Sequence, residues 1–382
     1  MKKAAIGLVL AVSLVGCKKK KAEENKEPVG SATAPMTTEG SGSAAMAGSG
    51  SAAAAEAPLT GQALADKYQK CVGMIGDGKF DDFIGTCVSA DYKGHDMDMG
   101  DMSGADAIKG EFTSLKTAFP DFKMSPQLVI VSGRNILAVE LTTGTNSGPM
   151  KMGQGPEMPA TNKKMGMLMF HKLAINDQNK ASEEWMYEDP MTMMGQLGQL
   201  PKGAPPVRPA MDKGWDGAPI VVVTADNDAE KKNLETVKKM DDAFNAHKVP
   251  DMLANLSDDF VLSGQSDPKD VTGKKDAEKD IKGLFTAFPD IKTTADATYA
   301  AGDYVVELGT MEGTNTGDMG PMKKTGKKVS VHYAELSKLK DGKLTNLWRF
   351  DNGMAFATQL GLMPPPGAGA GSAAAGSAAP KK

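Results

Sequence analysis

Aromatic residues are scarce, at 5% of the chain, and so are histidine and cysteine, at four and three. Positive charge is not in excess either: 44 Lys and Arg stand against 48 Asp and Glu, for a net charge of -4. A nucleic-acid binder would need a basic face, ideally with aromatics to stack on, so that class is excluded. The histidines are scattered and no Cys/His pair has zinc-type spacing, which argues against a structural zinc site. Gly320 to Lys327 has one residue too many between its Gly and Gly-Lys for a phosphate loop. No cofactor is expected. The uncharged apolar stretch Ala4 to Gly16 falls short of the roughly 20 residues that span a bilayer.

That stretch has another use. It follows Met1-Lys2-Lys3 and ends in Leu14-Val15-Gly16-Cys17, which resembles a bacterial lipobox. The resemblance implies that residues 1–16 are a signal peptide and that Cys17 is lipidated, with the membrane as partner through the anchor. Lys18 is not the Asp associated with inner-membrane retention, so an outer-membrane place in the cell envelope is favoured over the inner membrane. Residues 17–58 hold Lys and Glu, then Gly, Ser, Ala and Pro, with no hydrophobic period, and read as a disordered tether. Residues 201–219, rich in Pro and Gly, read as a linker, and residues 364–382 as a low-complexity tail.

What remains is a duplication: residues 59–200 and 220–363. Thr117-Ala-Phe-Pro-Asp-Phe-Lys123 matches Thr286-Ala-Phe-Pro-Asp-Ile-Lys292, and Gly144-Thr-Asn-Ser-Gly148 matches Gly313-Thr-Asn-Thr-Gly317 at the same offset. Trp185 matches Trp348, and Gln196-Leu-Gly198 matches Gln359-Leu-Gly361. Within the first block, Leu64, Tyr68, Cys71, Val72 and Ile75 have helical spacing, and Gly76-Asp77-Gly78 stops that helix. A second helix starts at Phe80, and a third runs from Ala105 to Phe119, stopped by Pro120. Strand patterns follow at 128–131, 136–143, 165–175 and 182–187. Block two repeats the order. Helices followed by a run of strands predict the α+β class.

The ordered set of motifs resembles the SnoaL-like polyketide cyclase family of the nuclear transport factor 2-like superfamily. Block two carries it nearly whole: Phe288-Pro-Asp290, Gly302-Asp-Tyr-Val305, Gly313 to Gly317, Thr325-Gly-Lys327, Asp341-Gly-Lys-Leu344, Trp348 and Gln359-Leu-Gly361. The resemblance implies two tandem cone-shaped domains, each a curved antiparallel sheet wrapped around about three helices, with a pocket in its mouth. Sheets of this superfamily often pair, and the resemblance leaves open whether the two domains pair with each other, stand apart, or let the chain form homodimers.

By the family pattern, an acid/base Asp lies four residues after the Trp, which is Asp189 here; Asn352 takes that place in block two and cannot move a proton. His95-Asp96 sits where the family often has a His-Asp pair, and Asn146 and Asn315 replace a family His. The expected pocket set is therefore Asp189 and His95 as catalytic residues, with Asp96, Asn146, Trp185, Asn315, Trp348 and Asn352 around the ligand. The leading reading is a binding module for a small apolar ligand or a partner protein. The alternative is a cyclase or isomerase using Asp189. A third reading comes from the 26 Met: Met97, Met99 and Met102 beside His95 form a soft cluster of the kind that holds Cu(I). The same Met enrichment also suits the lining of an irregular apolar pocket. Cys71 and Cys87 flank the helix-breaking glycines, and their repeat counterparts Met240 and Leu256 are apolar, so the pair is expected to meet in the core as a disulfide or as two buried thiols.

Overall fold

A computed structural model describes residues 57–363, apart from 99, 152–156 and 203. The signal sequence, Cys17, Met99, nearly all of the tether and the tail lie outside the described residues. Among the described residues no helix is long and apolar enough to cross a membrane.

The first repeat contains α1 (Gly61–Gly76), α2 (Phe80–Cys87), β1 (Val88–Asp96), β2 (Gly100–Ser103), α3 (Ala105–Ala118), β3 (Lys123–Ser132), β4 (Asn135–Thr145), the short β5 (Met150–Lys151) and β6 (Glu157–Met158), β7 (Lys164–Ile175), β8 (Ala181–Tyr187) and α4 (Pro190–Gln196). Then come β9 (Ile220–Val223), α5 (Asp228–Asn245), α6 (Val249–Ala254), β10 (Leu256–Gly264), β11 (Val271–Thr272), α7 (Gly273–Ala287), β12 (Lys292–Ala301), β13 (Tyr304–Thr314), β14 (Lys328–Lys340), β15 (Lys343–Asp351) and α8 (Gly353–Gln359). The class is α+β, with two sheets in tandem. The first sheet has the order β2-β1-β8-β7-β4-β3-β9 and the second β11-β10-β15-β14-β13-β12.

Three features depart from the expected architecture. The sheets are not purely antiparallel: β1 runs parallel to β8, and β10 to β15. The strands β1 and β10 escape the sequence reading because VSADYKGHD and LSDDFVLSG lack clean alternation; each has exposed charges and a register shift within it. The third departure is β9, whose Ile220 to Val223 open the second block. They pair in parallel with Leu128 to Val131 of β3, so this strand belongs to the first sheet. Four apolar β-branched residues in a row seek a sheet buried on both sides, and the edge of β3 offers one.

The repeated motifs turn out to be a clamp at the end of α3. Asp121 accepts from the Thr145 amide at 2.6 Å and from its hydroxyl at 2.8 Å. A Cβ on Gly148 would sit 2.0 Å from the Thr117 carbonyl oxygen, so only glycine lets the turn close on the helix end. Asp290, Thr314 and Gly317 repeat the arrangement around α7.

Alternation along the central strands then sorts side chains to two faces. On one face Val129, Val131, Ile136 and Ala138 meet α1 to α3, with Leu64, Tyr68, Val72 and Phe119. On the other, Leu128, Ile130, Leu137, Val139, Leu168, Phe170 and Tyr187 meet Tyr304, Val306, Leu308, Leu336 and Phe350 of the second sheet. The two sheets thus bury a common core between them, with the Phe170 and Phe350 rings 5.6 Å apart. The Pro/Gly-rich linker packs over this seam: Trp215 lies 4.7 Å from Trp348, and its amide donates to Gln127.

Candidate functional site

The helix-facing side of the first sheet encloses a cavity of about 140 Å³. Its wall is apolar, with Leu64, Ile108, Phe112, Phe122, Ile136 and several methionines. Met165, Met167 and Met169 alternate along β7 and point the same way, and Met186 adds to them from β8. The methionine excess of the sequence is thus partly the wall of this cavity, where unbranched, polarizable side chains fill an irregular surface.

The next residue in the β7 stripe is His171, 5% exposed. Its Nδ1 lies 2.7 Å from Glu184 Oε1, and its Nε2 lies 3.8 Å from Glu140 Oε2. Tyr68 donates to Glu140 at 2.6 Å and Tyr92 to Glu184 at 2.5 Å. Asp96, Glu111 and Glu188 add further carboxyls, and Lys67, Thr142 and Asn179 also line the cavity. Burial disfavours a charged imidazole, but Glu184 and Glu140 outweigh it and raise the His171 pKa to about 9. Burial, reinforced by Glu188 and Glu111, pushes Asp96 up to about 9. Burial, then Glu188 and Glu184, pushes Glu111 up to about 7. Three buried polar atoms here have no hydrogen-bond partner: Asp96 Oδ1, Glu111 Oε2 and His171 Nε2. Buried polar atoms in native folds nearly always have a partner, so these three mark where water or a ligand would bind.

The expected site residues are distributed differently. Asp96 lines the cavity; Asp189 does not. Asp189 follows the strand end on the side opposite Glu188 and caps α4, accepting from the amides of Met191 at 3.1 Å and Thr192 at 3.0 Å. A third amide, Gly353 of the second repeat, donates to it at 3.0 Å. Burial raises its pKa while these donors oppose the rise. Both its oxygens are engaged by backbone amides, at the α4 cap and at the seam, and not in the cavity. Asn352 caps α8 in the same way through Ala355.

His95 also lies outside the cavity. It stacks on Trp185 with ring centroids 5.4 Å apart, and its nitrogens engage Asp101 at 2.9 Å and Glu183 at 3.0 Å. Trp185 and Trp348 pack at the inter-sheet core, away from the first cavity. Asn146 and Asn315 are 0% exposed and satisfied: each donates to two main-chain carbonyls and accepts from a threonine, Thr161 or Thr325. They belong to the clamp. Met97 packs on the inter-sheet core and Met102 on the helix-side core, so these two side chains lie in different clusters. Among the described residues no three His, Cys, Asp or Glu side chains are grouped to hold a metal ion. Cys71 and Cys87 form a disulfide that ties α1 to the end of α2.

Sequence reasoning missed Glu140, Glu184 and His171. The signal was present: Glu140 interrupts the apolar run Ile136 to Leu141, and His171 extends a Met-x-Met-x-Met stripe. A charged residue in the middle of a strand buried on both faces requires a partner.

The second repeat also keeps polar groups, in a cavity of about 60 Å³, from different positions. Glu335 takes the rung that His171 takes, and Arg349 the rung of Met186. Arg349 donates to Glu335 at 2.7 Å, Tyr333 donates to Glu307 at 2.6 Å, and Asp241 is bonded to Glu307. Asp351, not Asn352, faces this cavity.

No curated protein matches the chain. Solved structures similar to it include a SnoaL-like protein from Jannaschia sp. CCS1, 23% identical, covering 40% of this chain and 100% of that one, with a TM-score of 0.33. TsrD from Streptomyces laurentii is 18% identical, covering 35% and 97%, with a TM-score of 0.32. An NTF2-like protein of unknown function from Burkholderia pseudomallei is 16% identical, covering 34% and 97%, with a TM-score of 0.30. The profile of the SnoaL-like polyketide cyclase family matches twice, at residues 63–197 and 234–360, and together these cover more than half of the sequence. The chain therefore belongs to the SnoaL-like polyketide cyclase family and carries two of its domains in tandem.

Proposed function

We propose that this chain is a lipid-anchored envelope protein whose first domain encloses a small, mainly apolar ligand over a floor able to exchange protons with it. The observation that carries the reading is the trio of unpartnered atoms, Asp96 Oδ1, Glu111 Oε2 and His171 Nε2, on an otherwise apolar cavity. Apolar walls with a few convergent polar groups of shifted pKa are the usual make-up of a ligand site. The lipid anchor is supported by Leu14 to Cys17 following a charged start and an apolar run.

Thermal-shift and calorimetric titration with a panel of small cyclic ketones, alcohols and amines tests the pocket. At least one class should bind saturably, and binding should fall in Met167→Trp and Met169→Phe, which fill the cavity. Equal binding by wild type and both filled variants sinks the reading. The anchor is tested by metabolic labelling with an alkyne fatty acid. Label should enter the wild type and be absent from Cys17→Ser.

Turnover is a second reading, favoured by the carboxyl of Asp96, which retains its proton at neutral pH and can donate to a carbonyl while a neighbouring group takes a proton from the adjacent carbon. It predicts deuterium exchange at that carbon, lost in Asp96→Asn.

A further inference from the structure

We infer that the ligand of the first cavity is an organic cation: an amine carried on a small apolar skeleton. This rests on the pocket reading above and goes further by naming the charge. Five carboxyl groups line the cavity, Asp96 from β1, Glu111 from α3, Glu140 from β4, Glu184 from β8 and Glu188 just beyond β8. Against them the lining offers His171 from β7 and Lys67 from α1. Tyr68 and Tyr92 also face the cavity and give their hydroxyl protons to Glu140 and Glu184. Acidic groups therefore outnumber basic ones in an apolar-walled space, where a carboxylate without a cation beside it is costly and the carboxyls hold their protons instead.

Asp96 Oδ1 and Glu111 Oε2 have no hydrogen-bond partner, and once ionised both accept hydrogen bonds. An ammonium supplies up to three N–H donors and a positive charge together. The carboxyls do not draw together into a metal-binding group, which disfavours a bare ion and favours a larger cation that reaches several of them at once. The walls suit such a guest: Tyr68, Tyr92, Phe112 and Phe122 present aromatic surface, and the methionines present polarizable sulfur.

The arrangement makes a second commitment. A cation entering beside carboxyls held in their acid form draws protons off them, and it also discharges a neighbouring imidazolium. Binding should release protons to the buffer.

The test compares benzylamine with benzyl alcohol on the full chain by isothermal titration calorimetry at pH 7, in two buffers of different ionisation enthalpy. Benzylamine should bind at least about tenfold more tightly, as expected of charge-assisted hydrogen bonds, with net proton release. In Glu111→Gln and in Asp96→Asn the preference should shrink to about threefold or less. Asp351→Asn, in the other cavity, should leave it intact. If benzyl alcohol binds as tightly as benzylamine, the inference fails and the pocket reading stands. If neither binds, both fail. An amine preference undiminished in Glu111→Gln and Asp96→Asn would place the cation elsewhere and overturn the inference.

Discussion

The two cavities share a backbone plan and differ in how they balance charge. In the first, a buried histidine sits between two glutamates, each also held by a tyrosine. In the second, an arginine pairs with the glutamate on the histidine's rung, and Glu307 is shared between Tyr333 and the carboxyl of Asp241. Most polar positions of the floor differ between the copies, while Glu188 and Asp351 keep a carboxyl at the same place. Duplication preserved the clamp of Asp121, Thr145, Asn146 and Gly148 and left the floor free to change. The lesson is that the recurring motifs report the scaffold, and the chemistry sits in the residues that do not recur.

The largest effect that would break this comparison is a charge swap. His171→Glu gives the first cavity the residue of the second without its arginine. It should cost about 3–5 kcal/mol in denaturant unfolding, the range for stripping the partner from buried charges. Arg349→Met, the converse exchange, should cost a similar amount. A loss below about 1 kcal/mol in both would show that neither floor depends on its cation.

The disulfide belongs to the first domain alone. Replacing Cys71 and Cys87 with the methionine and leucine of the second domain removes a link across 16 residues of sequence, worth about 3 kcal/mol for a loop of that size. Part of it should return as packing. A thermal melt under reducing and oxidising conditions measures the difference, which the exchanged variant should no longer show.

Stability should also depend on pH in one direction. Asp96 titrates at about 9 and Glu111 at about 7 when folded, against about 4 for unfolded carboxyls. The folded state therefore holds more protons over that window, and stability falls as pH rises from about 4 to 9. His171, raised to about 9 from 6.5, acts the same way: its contribution is complete below about 6.5 and is lost as pH rises through 9. The second cavity slopes likewise, with Asp241 raised to about 9 and Asp351 to about 7. The midpoint of thermal unfolding should be lower at pH 9 than at pH 6. Asp96→Asn and Asp241→Asn should each flatten the curve, and the larger flattening identifies the more frustrated floor.

The smallest effect concerns Asp189. Asp189→Asn converts the α4 cap to the kind used by α8. It should cost about 1–2 kcal/mol, because the amide nitrogen cannot accept from the main-chain amides that both carboxylate oxygens now hold. Proton exchange on any bound ligand should survive it. Loss of exchange with stability unchanged would return the acid/base role to Asp189.

The class, the duplication and most elements were legible before the structure. Helical spacing located α1 to α3, and Gly, Pro and alternation located β3, β4, β7 and β8. The strands β1 and β10 were not legible, because their inward residues, such as Tyr92 and Phe260, are separated by exposed charges and a bulge. The family pattern pointed to Asp96, which lines the cavity, and to Asp189 and His95, which lie outside it. Motif spacing carries no information on which face a strand-end residue occupies. That is settled by the alternation from Trp185 through Glu188, where one step separates the cavity from the seam.

The strand Ile220 to Val223 lies in neither stretch matched by the family profile, yet it completes the first sheet. A gene fragment ending at the first repeat would therefore encode a domain with β3 bare along one edge. Such an edge is a template for unwanted pairing. The first copy cut before residue 220 should therefore be less soluble than the same copy carried through Val223.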